Sequence, residues 1–372
     1  MPCCASEPVR SPSAFRYWSP GAARTSPTAT SPGQHTVPRS AQSPMPRPSR
    51  PSTGWRRRRH GLGRRGAGSA AVESNDTGCR RSFVTTMDEV LHTEPSRTAL
   101  ATAYARAFHQ IAPEPRVFID PLAIPICGLT AAELTDRDTA NLRKVTDPAP
   151  RRNRRMFLAA RARFAEEVVQ QAVAGGVRQV AVLGAGLDTF AYRNPYPGVR
   201  VVEVDHPNTQ EWKRERLASA GIEIPDSMSF APVDFETGTL GAGLAAVGWS
   251  RTEPAAFVWL GVVMYLEPAT VRETLGFLAA QDAPVHVVAD YLQPPDASTP
   301  AVVLERAAAI AAMGEPFQAY FSPDDMAAEL RAAGFTGIDD HGAAELLVRY
   351  GAIHQASPGR RWSEPHVVHA SK

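Results

Sequence analysis

Apolar positions along the chain follow two different periods, which predict two kinds of element. Short unbroken apolar runs over 180–183 and 255–260 are typical of buried parallel strands. Leu100, Tyr104 and Phe108 recur every fourth residue and predict one apolar stripe on a helix. Strands and helices alternate in this way along the chain, so the pattern predicts a doubly wound, Rossmann-like α/β fold that is mostly parallel.

The remaining predicted elements continue this alternation up to residue 350. Two short final segments, predicted as strands, favour an antiparallel hairpin that closes the sheet. The other predicted strands lie at 199–204, 228–233, 285–289, 335–338 and 345–350. The predicted helices lie at 96–110, 157–173, 209–220, 269–281, 301–313 and 323–333.

A glycine loop follows the first predicted strand directly. Gly184 and Gly186 permit a tight turn and leave room for a ligand close to the backbone. Residues 187–193 then continue as a predicted helix. A dinucleotide fingerprint requires a third glycine where this chain has Thr189, and Asp188 places a negative charge near the expected phosphates. The loop therefore favours S-adenosylmethionine (SAM), which has no phosphate, over NAD.

The second predicted strand ends at a carboxylate, Asp205. It follows Gly186 by 19 residues, the separation at which such folds place a carboxylate on the ribose hydroxyls. Asp205 is therefore a candidate ribose ligand.

Two sequence blocks resemble those of a known protein family. Gly-Ala-Gly-Leu-Asp-Thr-Phe-Ala-Tyr-Arg begins at Gly184, and Val-Glu-Val-Asp-His-Pro begins at Val202, with Lys213 following. From about residue 96 to 351 the chain resembles the leucine carboxyl methyltransferase-like family of class I SAM-dependent methyltransferases. The resemblance implies that SAM is the cofactor, that Gly184, Gly186 and Asp188 contact it, and that the helix at 96–110 belongs to a lid.

The resemblance also assigns an arginine. Ala-Arg-Ala-Arg-Phe begins at Ala160, and Arg161 matches the family arginine that holds the carboxylate of SAM, with Arg163 as the second choice. A guanidinium grips a carboxylate through two hydrogen bonds. The alternative is that Arg161 is a surface arginine.

Asp234 and Phe235 follow the third predicted strand. Asp234 can accept a hydrogen bond from the exocyclic amine of adenine, and Phe235 offers an apolar or stacking face. A strand-end cap is the alternative interpretation of Asp234.

The fourth predicted strand departs from the family at one position. Many members have a glutamate immediately before the glycine that corresponds to Gly261, and this chain has Leu260. Gly261 matches as a cofactor contact. Tyr265 matches too, and is the candidate catalytic residue or a wall of the pocket. Asp290, at the end of the fifth predicted strand, is a candidate for the acceptor side.

Residues 1–86 differ in composition from the rest. They contain 11 prolines, 14 arginines, no lysine and three acidic residues, which gives a charge of +11, while residues 87–372 carry −9. We predict a disordered tail before a single methyltransferase domain that begins at Met87. The tail is either solvated, untranslated because Met87 is the true start, or a nucleic-acid arm around Arg56–Arg59.

The cysteines and the hydropathy predict a cytoplasmic protein. Cys127 is the sole cysteine of residues 87–372, so that part forms no internal disulfide. No metal-ligand spacing and no membrane-spanning apolar stretch occur in the sequence. We expect a small-molecule methyl acceptor as partner, and neither a metal, a membrane nor, apart from the basic tail, a nucleic acid.

The sequence thus predicts a SAM-dependent methyltransferase that modifies a carboxylate or hydroxyl oxygen of a small molecule. Two alternatives stay open at this point. One is a SAM-binding fold without transferase activity, because of Leu260. The other is an NAD-dependent Rossmann oxidoreductase, against which Asp188 and Thr189 argue.

The tail prediction can be tested by truncation. A chain that begins at Met87 should bind SAM with the affinity of the full chain and melt at nearly the same temperature, because it loses no buried contacts. Calorimetric titration and thermal unfolding measure both. A nucleic-acid arm predicts instead that only the full chain shifts DNA or RNA in a gel, steeply dependent on salt. Loss of SAM binding in the truncated chain would place the domain boundary before Met87.

Overall fold

The structure, a computed structural model, describes residues 96–113, 115–142, 147, 149–234, 239–353 and 364–372. The predicted tail, Met87 and Phe235 lie outside the described residues, so the domain boundary at Met87 and the stacking role of Phe235 stay predictions. None of the helices in the described part of the chain is long and apolar enough to span a bilayer.

The described helices and strands follow the predicted alternation. The helices are α1 (Arg97–His109), α2 (Ala123–Ile126), α3 (Ala131–Leu142), α4 (Ala149–Ala174), α5 (Pro207–Ser219), α6 (Leu240–Ala246), α7 (Pro268–Ala279), α8 (Ala301–Ala311), α9 (Pro323–Ala333) and α10 (Ala343–Arg349). The strands are β1 (Gln179–Leu183), β2 (Arg200–Asp205), β3 (Met228–Pro232), β4 (Ala255–Trp259), β5 (Val285–Leu292), β6 (Gly337–Gly342) and β7 (Pro365–Ser371).

The described strands form one seven-stranded sheet in the order β3-β2-β1-β4-β5-β7-β6. Neighbours from β3 to β5 pair in parallel, and β7 pairs antiparallel with both β5 and β6. The order reverses between β1 and β4, and such a switch point opens a crevice at the carboxyl ends of the strands. The predicted doubly wound fold is confirmed.

Alternate residues of each central strand enter opposite halves of the core. Val180 and Val182 of β1 pack with α1 and α4 on one face, while Ala181 and Leu183 pack with α6, α7 and α9 on the other. All five residues of β1 are buried, as are those of β4. Burial on both faces explains the unbroken apolar runs from which the strands were predicted.

The predicted helix over 187–193 is wrong. Only a single turn of 3-10 helix forms, at Phe190–Tyr192. The Asp188 carboxylate accepts the Phe190 N–H at 2.8 Å, a local bond that competes with helical pairing. Without a helix here, the glycine loop offers no helix N-terminus to a pyrophosphate, which argues further against NAD.

The closing hairpin was predicted with the wrong second strand. Residues 345–350 lie in and just beyond α10 instead, and β7 pairs with β6 and inserts between it and β5. Leu346 and Leu347 are both buried, so adjacent apolar residues here serve a helix face rather than a strand. The antiparallel pairing at this edge is nevertheless as predicted.

A buried ion pair joins β2 to α5. Lys213 Nζ lies 2.7 Å from Glu203 Oε2, and both side chains are at most 1% exposed. The Tyr192 hydroxyl donates to the same oxygen at 3.0 Å. Burial raises the pKa of Glu203, and the Lys213 charge opposes that rise. Lys213, which follows the second block of the family resemblance, thus lies in the core.

The buried pair predicts that the single mutation Lys213→Met destabilises the protein more than the double mutation that also changes Glu203. Lys213→Met leaves Glu203 buried without its counter-charge and should lower the free energy of unfolding by roughly 3–5 kcal/mol. Adding Glu203→Gln removes that charge, keeps an acceptor for Tyr192, and should restore at least half of the loss. Urea unfolding measures both variants.

The exposed ion pair of Arg200 with Glu253, at 3.1 Å, supplies the control. Because both partners are about half exposed, Arg200→Met should cost at most about 1 kcal/mol. If Lys213→Met lowers the free energy of unfolding by no more than Arg200→Met does, the prediction for the buried pair is wrong.

Candidate active site

A cavity of about 1320 Å³ lies at the carboxyl ends of the parallel strands. Its walls include the loop after β1, the ends of β2, β4 and β5, and the helices α1, α4 and α8. Single small-molecule sites usually occupy roughly 300–1,000 Å³. The cavity therefore has room for a nucleoside cofactor and a second molecule beside it.

The glycine loop is fixed to the end of β2 by Asp205. Its two carboxylate oxygens accept the Gly186 N–H at 2.6 Å and the His206 N–H at 2.7 Å. Burial raises the pKa of Asp205, and these two backbone bonds oppose the rise. A carboxylate has about four acceptor positions, so Asp205 retains capacity for hydroxyl donors in the cavity.

Gly184 holds a backbone conformation that only glycine fits here. Its φ is +63°, and a Cβ at this position would collide with the side chain of Val262. The loop therefore crosses the floor of the cavity without a side chain, as the sequence predicts for a close approach of ligand to backbone.

Asp188 contacts the cavity but has protein partners of its own. Arg106 of α1 lies 3.4 Å from Asp188 Oδ2 and also donates to the Leu187 carbonyl. Burial raises the pKa of Asp188, but the charges of Arg106, Lys213 and Arg193 outweigh it and hold the pKa below its usual range. Asp188 thus stays ionised and fixes the lid helix to the glycine loop.

Arg106 lies at the inner face of α1, towards the cavity. It is 8% exposed and also forms an ion pair with Asp120 at 3.0 Å. Thr189 donates to the same carboxylate at 2.8 Å. The lid residues named by the family resemblance are therefore bound directly to the loop they were predicted to cover.

Arg161 is buried in the cavity wall, not at the surface. It forms an ion pair with Asp290, whose other oxygen accepts the Gly261 N–H at 2.5 Å. Gly261 has a φ of +76°, and a Cβ there would lie 3.1 Å from the Arg161 guanidinium. Arg161, Asp290 and Gly261 thus form one unit at the ends of β4 and β5.

Leu260 is half-buried in the same wall and leaves this position of the cavity without a carboxylate. Asp290 brings a carboxylate to the neighbouring strand end, although Arg161 and Gly261 already bind it. Asp234 is half-buried and lines the cavity beyond β3, at the opposite side of the glycine loop from Gly261 in strand order.

The other end of the cavity carries residues that the sequence did not single out. Phe317 packs against Tyr265 with ring centroids 5.3 Å apart, and both line the cavity together with Arg154 and Arg306. Burial raises the pKa of Tyr265, so its hydroxyl stays protonated and serves as a donor. Arg154 precedes Arg161 by about two helical turns of α4 and shares its face, which is the one signal in the sequence that could have indicated it.

Glu315 ties the cover of the cavity together. Its carboxylate accepts the backbone N–H groups of Arg97 and Thr98 at 3.0 and 3.2 Å, at the start of α1. Ser96 caps the same helix end by accepting from Ala99 at 3.1 Å. The loop after α8 and the first turn of α1 are therefore held together across more than 200 residues of sequence.

The donor set suits SAM. Carboxylates at Asp188, Asp205 and Asp234 flank a loop without side chains, and Arg161 lies at the far strand ends. No group of three or more side chains with metal-ligand chemistry occurs within the described ranges.

The chain matches a known protein family and several named relatives. Residues 99–279 match the family model for leucine carboxyl methyltransferase. A protein of Mycolicibacterium gilvum that bears the name of an S-adenosyl-L-methionine-dependent methyltransferase is 30% identical over 272 residues, 68% of this chain and 86% of that protein. A relative of the same name in Mycobacterium tuberculosis is 32% identical over 199 residues, 52% of this chain and 63% of its own length.

Solved structures match only loosely. An O-methyltransferase family protein from Burkholderia thailandensis gives a TM-score of 0.37 at 15% identity, over 59% of each chain. Magnesium protoporphyrin IX methyltransferase of Synechocystis, solved with bound SAH, gives 0.37 at 12% identity, over 58% of this chain and 84% of that one. At these scores the matches add nothing to the fold, which the strand order already defines.

The family match and the Mycolicibacterium relative decide between the alternatives that the sequence left open for the cofactor. SAM, and not NAD, is the cofactor, and the sheet is that of a class I methyltransferase. The chain belongs to the leucine carboxyl methyltransferase family and is a SAM-dependent methyltransferase.

Proposed function

We propose that the enzyme methylates an oxygen atom, of a carboxylate or a hydroxyl group, on a small molecule. The observation that carries the proposal is the cavity itself. Carboxylates surround the glycine loop at one end, and Tyr265, Phe317 and two arginines line the other. One cavity thus offers a place for a cationic nucleoside and an adjoining place for an acceptor.

For the cofactor we propose these roles. Asp205 binds the ribose hydroxyls, Asp234 accepts from the adenine amine, and Arg161 binds the carboxylate of the methionine moiety through the guanidinium edge that faces away from Asp290. Gly184 and Gly186 let the cofactor approach the backbone. Gly261 contributes by supporting the Arg161–Asp290 unit through its N–H, and Asp188 by fixing the loop through its ion pair with Arg106.

The chemistry places few demands on the protein. Bound SAM supplies an electrophilic methyl group, whose bond to sulfur breaks as its bond to the acceptor oxygen forms. The residues of the cavity hold the acceptor oxygen in line with that bond. Holding both reactants in this geometry lowers the activation free energy of the transfer. A carboxylate acceptor is ionised at neutral pH and needs no base, and a hydroxyl acceptor releases its proton to water as its bond to the methyl carbon forms. Tyr265 is positioned to donate a hydrogen bond to the acceptor.

The proposed acceptor class is tested by one experiment. Purified protein is incubated with methyl-labelled SAM and a panel of small carboxylic acids and phenols, and label in the extracted products is counted. Transfer that Asp205→Ala abolishes supports the proposal. Tight SAM binding with no transfer to any acid or phenol refutes the proposed acceptor class.

The proposed role of Asp205 predicts a loss of affinity on truncation. Asp205→Ala should weaken SAM binding at least tenfold, or about 1.4 kcal/mol, because hydrogen bonds to a charged group are lost. Asp205→Asn keeps an acceptor for the Gly186 N–H and should lose less. Calorimetric titration measures both, with the exposed Asp226→Ala as control. An unchanged dissociation constant in Asp205→Ala would remove Asp205 from the site.

The proposed role of Arg161 predicts that lysine cannot replace it. Arg161→Lys keeps a positive charge beside Asp290, so the protein should stay folded, but it lacks the second donor edge and should bind SAM about tenfold more weakly. Arg161→Ala should weaken binding similarly and destabilise the fold as well. Arg163→Lys is the matched control, since Arg163 pairs with Glu167 at 2.8 Å outside the cavity. If Arg161→Lys binds SAM with full affinity, the carboxylate of SAM is not bound through two guanidinium hydrogen bonds.

A further inference from the structure

Two arginines at the acceptor end of the cavity have no counter-charge. Arg154 of α4 and Arg306 of α8 both line the cavity and are half-buried. Within the described ranges, neither guanidinium takes part in an ion pair or a hydrogen bond. Arg161, by contrast, is neutralised by Asp290.

The charges around these two arginines are mostly of the same sign. Burial, together with the positive charges of Arg306, Arg161 and Arg151, lowers the pKa of Arg154 to about 9, while Tyr265 acts in the other direction. Burial likewise lowers the pKa of Arg306, and Arg161 contributes. Both guanidiniums still carry their charge at neutral pH. The Glu315 carboxylate in the same part of the cavity lining is bound by the backbone N–H groups of Arg97 and Thr98, so this end of the cavity keeps a net positive charge. A bound anion would remove the repulsion.

Arg154 and Arg306 lie apart from Arg161, the residue proposed to bind the carboxylate of SAM. Arg154 precedes Arg161 by seven residues, which corresponds to about 10 Å along the same face of a helix. Arg306 approaches from α8, on the cover of the cavity. The aromatic pair of Tyr265 and Phe317 lies at the same end. The arrangement combines two guanidiniums with two aromatic rings, tilted by 50° to each other, and each ring offers a face to an aromatic ligand.

We propose that Arg154 and Arg306 form an anion subsite that anchors the acceptor by a carboxylate, which is not the group that receives the methyl. The inference rests on the proposed function, and it narrows the acceptor to a flat, apolar acid with a second oxygen group. That second group is a phenolic hydroxyl or another carboxylate.

The anchoring role follows from the nucleophilicity of a carboxylate. Charge-assisted hydrogen bonds from guanidiniums hold the oxygen lone pairs that an attack on a methyl group would use. A carboxylate gripped by two arginines is therefore well bound and poorly reactive. The same grip suits a group that orients the acceptor and leaves its other oxygen free.

The test compares acids with their methyl esters. Protein saturated with S-adenosylhomocysteine is titrated calorimetrically with benzoate, 4-hydroxybenzoate and 2-naphthoate, and with the methyl ester of each. The wild-type chain should bind at least one acid at least tenfold more tightly than its ester. Arg154→Gln and Arg306→Gln should each abolish this preference and change the affinity for S-adenosylhomocysteine less than twofold. Arg272→Gln, which alters an exposed arginine paired with Glu329 at 2.8 Å, should preserve the preference.

Methyl transfer supplies the second measurement. With labelled SAM and 4-hydroxybenzoate, the product should be the ether at the hydroxyl, and the ester at the anchored carboxylate should be absent. The ester as sole product would overturn the anchoring role.

Other outcomes also overturn the subsite. If no acid binds more tightly than its ester, the wild-type chain alone refutes it without any variant. If Arg154→Gln and Arg306→Gln lose affinity for S-adenosylhomocysteine by the same factor as for the acid, these arginines bind the cofactor instead. A different result separates the two proposals. If the protein does not bind SAM but binds acids in a way that depends on Arg154 and Arg306, the subsite is supported and the proposed cofactor roles are refuted.

Discussion

The buried ion pair between Arg161 and Asp290 is the constraint on which the cavity depends. It joins the long helix α4 to the end of β5, and through the Gly261 N–H it also fixes the loop after β4. Removing two charges from water is costly, and their attraction offsets that cost only when the remaining hydrogen-bonding positions are satisfied. Gly261 supplies such a bond, and its lack of a side chain leaves space for the guanidinium.

The central strands and the link between Asp205 and the glycine loop could be predicted because their signals are local. Unbroken apolar runs mark β1 and β4, and Asp205 stands at a fixed separation from Gly186. The 3-10 turn was mistaken for a helix because its cause is a single side-chain bond, from the Phe190 N–H to Asp188. The low helix propensity of aspartate reflects such competing bonds on average and does not identify the individual bond that forms here.

The acceptor side could not be predicted because its residues come from distant parts of the chain. Arg154 and Arg306 each look like surface arginines, since this residue type is usually exposed. Only the packing of α8 against the cavity brings Arg306 to Arg154, and only the loop after α8 brings Phe317 to Tyr265. A pattern of single residues without local periodicity has no signature in one sequence.

Helix α1 contacts both ends of the cavity. Its first turn binds Glu315 near the acceptor end, and Arg106 in its last turn binds Leu187 and Asp188 of the glycine loop. A ligand that orders one end of α1 reduces the conformational entropy that a second ligand has left to remove. The two binding equilibria consequently share a coupling free energy, which by thermodynamic reciprocity is the same whichever molecule binds first.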